Sequence, residues 1–89
     1  MKVSDINIAQ LTFLKSFLES DIRFIDNSDI DYCNDSLHYI MLIVDKLENQ
    51  NVISDINNIL DSNEYTSQRK RYEAILAYIN KVIDIIETE

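Results

Sequence analysis

The chain reads as an all-α protein, a small bundle of four helices forming one domain over residues 1–89. Three observations predict this. No Gly and no Pro occur in 89 residues, where average usage gives roughly six and four. Apolar residues recur every three or four positions through four segments. The stretches between them are rich in Asn, Asp and Ser, residues that turn chains and cap helices. The missing Gly also excludes whole classes. Tight β-hairpins need residues with positive φ, and phosphate loops and dinucleotide fingerprints need Gly where backbone approaches phosphate.

The first helix is expected over about residues 5–25, with Ser4 as its N-cap and Ile8, Leu11, Leu14, Leu18, Ile22 and Ile25 along one stripe. Asp26-Asn27-Ser28-Asp29 is a loop. The second helix is expected over about 30–48, where Cys33, Leu37, Ile40, Val44 and Leu47 repeat at 4-3-4-3. Glu48-Asn49-Gln50-Asn51 breaks it. A short third helix over about 52–61 carries Val52, Ile53, Ile56, Ile59 and Leu60. Ser62 followed by Glu64 reads as the start of a fourth helix over about 64–87. Its seam is Tyr72, Ile75, Ile79, Val82 and Ile86, widened by Leu76 and Ile83.

At about 100° per residue, three helices carry more apolar face than a small bundle needs. The first has a second stripe of Ile6, Phe13, Phe17 and Phe24. On the second, Tyr32, Tyr39 and Ile43 flank the seam on one side, Met41 flanks it on the other, and Leu42 points away. On the fourth, Tyr78 and Ile85 broaden the stripe. An arc a little over 100° suffices for one core face. The surplus is covered by a central helix, a second copy or a foreign partner. Phe13, Phe17, Phe24, Tyr32, Tyr39, Leu42, Tyr78 and Ile85 are the candidate interface residues, since aromatic side chains supply contact area at low entropic cost.

The formal charge is −8, which repels nucleic acid and anionic lipid and favours a basic protein partner. Asp21, Asp26, Asp29, Asp31 and Asp35 form an acidic run interrupted by Arg23, and they are the candidate partner-binding carboxylates. Arg69-Lys70-Arg71 near the start of the fourth helix opposes the helix dipole, so an acidic neighbour is expected, with the 19–35 run as the natural source. No catalytic residue, metal ligand set or cofactor site is expected. Asp29 to Asn34 resembles the opening of an EF-hand loop, but Ile40 stands where the bidentate Glu belongs. Cys33 and His38 lie about 140° apart on one helix and cannot act as nucleophile and base within one chain. Cys33 is read as a buried small hydrophobe and His38 as a surface residue.

In size and charge the chain resembles compact acidic helical inhibitors, such as immunity proteins and phage-encoded inhibitors. That implies an inhibitor or adaptor that docks on a basic protein. The alternative is a structural or regulatory helical homo-oligomer, most simply a dimer. A single Cys and no apolar leader lead to the expectation of a reducing, cytoplasmic setting. No apolar run reaches 18 residues, so no membrane span is expected.

Overall fold

The periodic segments form four helices, α1 (Ile8–Ile25), α2 (Ile30–Asp45), α3 (Gln50–Asp61) and α4 (Gln68–Thr88). The structure is a computed structural model that describes residues 6–25, 30–62, 64 and 67–88, with the side chains of 24, 25 and 30–35 not among those described. The helices run up-down-up-down. The Asn7 N–H donates to the Leu47 carbonyl at 2.8 Å, so the start of α1 lies beside the end of α2. Tyr78 near the middle of α4 reaches Asp55 of α3, and Arg71 near the start of α4 reaches Ser62 just past the end of α3. α1 packs against both α2 and α4, and α3 is held chiefly by α4; the α2–α3 contact is the sparsest of the four. The Cα radius of gyration is 12.8 Å, close to the roughly 12 Å expected for a compact chain of this length.

The expected seams supply most of the core, with one exchange on the α1 side: Ile8, expected on the core stripe, is 55% exposed, and Ile6, expected on the second stripe, is buried. Leu11, Leu14 and Leu18 of α1, Ile40, Val44 and Leu47 of the α2 segment, Val52 and Ile56 of α3, and Tyr72, Ile75, Ile79 and Val82 of α4 are all fully or almost fully buried. Each such aliphatic side chain contributes roughly 1.5–3 kcal/mol on leaving water. Leu37 and Ile86 continue their seams but are only half-buried against this cluster. Cys33 lies among the residues whose side chains are not described.

The helix ends depart from expectation, and capping explains how. α1 begins at Ile8 and not near residue 5: the Asn7 side chain accepts from the Gln10 N–H at 3.1 Å, the role expected of Ser4, which lies outside the described residues. α2 ends at Asp45, not 48. The N–H groups of Lys46 and Leu47 turn back to Ile43 and Val44 in tight i−3 bonds, which folds Leu47 into the core. Glu48 then takes φ 75°, the left-handed region that costs a non-Gly residue about 1 kcal/mol. Asn49 follows as N-cap of α3, accepting from the Val52 N–H at 3.1 Å, so α3 begins two residues earlier than expected. Ser62 does not start α4. Its N–H closes α3 on the Ile59 carbonyl and its hydroxyl accepts from the Glu64 N–H. Ser67 takes the capping role instead, accepting from the Lys70 N–H at 3.2 Å. Gln68 is therefore the first helical residue.

A buried polar network crosses the core. The Ser36 hydroxyl donates to the Asp21 carboxylate. A hydroxyl has one hydrogen, so the Tyr72 hydroxyl, 3.2 Å from Ser36 Oγ, is the donor in that second bond. The network ties α1, α2 and α4 at one level of the bundle. Tyr72 is apolar-seam by spacing, and its hydroxyl needs such a partner once buried.

Candidate functional site

Packing leaves one aromatic run uncovered. Phe13 and Phe17 are one turn apart on α1 and stack with ring centroids 6.4 Å apart, 27° from parallel. Phe17 then meets Tyr39 of α2, again at 6.4 Å and tilted by 58°. Both separations lie in the range of favourable aromatic pairs. Phe17 is half-buried against the core, whereas Phe13 is 55% exposed and Tyr39 58% exposed. Leu42, one turn beyond Tyr39, is 48% exposed. Core helices would normally hide such side chains. The α1 positions one turn from these rings that reach the surface, Ala9, Gln10, Ser16 and Ser20, carry no charge.

Other sequence-predicted interface residues are placed differently. Tyr78 and Ile85 are half-buried against the core. The Tyr78 hydroxyl donates to Asp55 at 2.6 Å, bridging α4 to α3. Burial, followed by that carboxylate, pushes the phenol well above its usual range. Both residues thus serve the bundle itself. The side chains of Phe24 and Tyr32 lie outside those described.

Of the acidic run, only the Asp21 side chain is among those described. Asp21, expected as a partner-binding carboxylate, is instead only 3% exposed and is bonded to Ser36. It faces the core because it follows Leu14 and Leu18 at helical spacing. Asp26, Asp29, Asp31 and Asp35 lie outside the described residues or side chains. The basic cluster finds local partners. Arg69 pairs with Glu73 one turn on, at 3.0 Å with both side chains well exposed, an arrangement worth well under about 1 kcal/mol. Arg71 donates to the Ser62 carbonyl and to Gln68, both at 2.9 Å. A guanidinium at the C-terminal end of α3 suits that helix's dipole, which offsets its poor position near the start of α4.

A second opening lies on the opposite flank of α2. Leu37, Met41 and Asp45 from α2 and Asn57, Leu60 and Asp61 from α3 line a groove of about 280 Å³. It opens where α2 and α3 lie side by side. Met41 is 49% exposed there. Asp45 and Asp61 are the last residues of their helices, and neither helix has a basic residue in its last turn. A carboxylate at a helix C-terminus opposes the dipole by roughly 0.3–1 kcal/mol. Sequence reasoning placed Met41 opposite Tyr39 about the seam but missed the carboxylates. The available signal was two helices each ending in Asp with no basic residue in the last turn.

His38 is exposed. Among the described residues no group of three His, Cys, Asp or Glu side chains gathers closely enough to hold a metal ion. Among the same residues no helix is long and apolar enough to cross a membrane. Comparison with protein-family models, with curated proteins and with solved structures finds no match for this chain.

Proposed function

We propose that this chain is a small acidic protein-binding protein, an inhibitor or adaptor that docks on a basic protein. The observation that carries the reading is the Phe13–Phe17–Tyr39 run, with two of its rings more than half exposed on a chain of charge −8. Aromatic anchors of this kind supply most of the energy in protein interfaces. The net charge accelerates encounter with a basic surface and suppresses acidic competitors. The test is affinity capture from the source cells at low and high salt, with the chain and its Phe13→Ser/Tyr39→Ser double variant as baits. A basic protein held at low salt, released by salt and lost with the double variant is the expected result. Equal retention by both baits would contradict it.

A homo-oligomer is the second reading, favoured by the uncharged positions around the aromatic run on α1. Two such faces can meet without opposing like charges. The two readings differ in their response to salt. Self-association of a −8 chain strengthens as salt screens its repulsion, whereas docking on a basic partner weakens.

A further inference from the structure

The acid-flanked groove opposite the aromatic run has a chemistry of its own. We infer that the groove between α2 and α3 seats a cationic amphipathic segment of the protein partner. Such a segment places an apolar side chain between Leu37, Met41 and Leu60, and Lys or Arg against Asp45 and Asp61. This rests on the docking reading above and gives the basic partner's contact a particular place.

Three features argue for that occupant. The first is size. At about 280 Å³ the groove falls just short of the roughly 300–1,000 Å³ typical of small-molecule sites, and suits one or two apolar side chains. A half-exposed Met in its lining is the flexible, polarisable kind of side chain that adapts to such anchors. The second is charge. One carboxylate stands on each wall, and among the described residues no Lys or Arg lines the groove and neither Asp45 nor Asp61 makes an ion pair. The third is position. Each carboxylate is the last residue of a helix with no basic residue in its last turn. Lys46 follows Asp45 and Arg71 meets the α3 end at the Ser62 carbonyl, but neither forms an ion pair with these carboxylates, so a positive charge is still favoured there by the dipole as well as by the side chain. A partner's Lys or Arg satisfies both at once. A second copy of the chain, itself at −8, brings the wrong sign.

The full-length chain is titrated at low salt with a synthetic helical peptide carrying a Leu stripe flanked by Lys, and with a twin in which each Lys is Glu. Binding is followed by NMR of the Met41 methyl group and of the Phe13 and Tyr39 rings. The Lys peptide is expected to bind and shift Met41, and the Glu twin to leave it unmoved. Asp45→Asn and Asp61→Asn should each weaken the Lys peptide about three-fold, as for a surface ion pair, while raising the melting temperature of the free protein by about 2 °C. Met41→Ser, at an exposed site that tolerates substitution, should weaken binding about five-fold. Equal binding of both peptides, absence of binding, or unchanged affinity in both Asn variants would overturn the inference. A Lys peptide that perturbs only Phe13 and Tyr39 would also overturn it, yet leave the docking reading intact. Loss of captured partner from the Phe13→Ser/Tyr39→Ser bait alone tests that reading independently.

Discussion

On one flank of α2, Tyr39 and Leu42 continue an aromatic run from Phe13 and Phe17 of α1; on the other, Leu37 and Met41 face Leu60 across the gap to α3. Both flanks leave large apolar side chains about half exposed. The first is surrounded on α1 by uncharged residues, and the second is flanked by Asp45 and Asp61, which make no ion pair among the described residues. Between them run the buried seam of Ile40 and Val44 and the Ser36 hydroxyl. The contrast teaches that one helix can hold a core stripe and two surfaces that select partners differently. The aromatic side offers contact area without charge preference, and the groove side requires a cation.

The largest expected effect separates binding from folding. Phe13→Ser with Tyr39→Ser should cost a docked partner roughly 100-fold in affinity if both rings are anchors, and change stability by no more than about 0.5 kcal/mol each, since both are exposed. Calorimetric titration and urea unfolding read the two quantities, and a large loss of stability would mean that the aromatic flank belongs to the core. Next comes the polar boundary between the flanks. Ser36→Ala removes a donor from the buried Asp21 carboxylate and an acceptor from Tyr72, and should destabilise by about 2 kcal/mol in urea unfolding. A cost near zero would mean that the network does not hold α1, α2 and α4 in register.

A smaller effect tests how the α2–α3 turn shapes the groove. Asn49→Ala removes the α3 cap and should cost about 1 kcal/mol, whereas Glu48→Gly relieves the positive φ and should stabilise by up to about 1 kcal/mol, less the entropy Gly adds to the unfolded chain. The smallest concerns Tyr78, which anchors the far side of α3. Its folded-state pKa lies above its unfolded value. The stabilisation is therefore complete below the ordinary phenol value of about 10 and is lost as pH rises beyond it. Tyr78→Phe should cost about 1 kcal/mol at neutral pH and flatten the alkaline part of the stability curve. An unchanged alkaline slope would mean that other groups govern it.

Much of the fold is legible in the sequence because burial imposes a period. The α4 seam from Tyr72 to Val82 and the α2 seam from Ile40 to Leu47 are buried as their spacing demands. The helix ends are less legible because several residues compete for each cap. Asn7 and Ser67 take roles that Ser4 and Ser62 could have filled, and Glu48 adopts a conformation its side chain does not favour. The candidate sites are legible in part for a related reason. Periodicity tells which side chains share a face, not which neighbour covers it. Phe13 and Phe17 look alike in the sequence, yet α2 reaches Phe17 and leaves Phe13 open. Tyr78 looked like a surface anchor until α3 supplied Asp55 as its partner. Asp21 continues the core spacing of Leu14 and Leu18, but the hydroxyl that makes burial of its carboxylate tolerable, Ser36, comes from another helix and cannot be read from that spacing.

Light scattering of the free chain at micromolar concentration and low salt tests most directly whether the aromatic flank of α2 is left open for a different protein. A monomer of 10.4 kDa is expected, because eight net negative charges oppose pairing of two copies and leave the flank to a different protein. A dimer that persists at low salt and falls apart in the Phe13→Ser/Tyr39→Ser variant would contradict it, since a second copy would then occupy that surface.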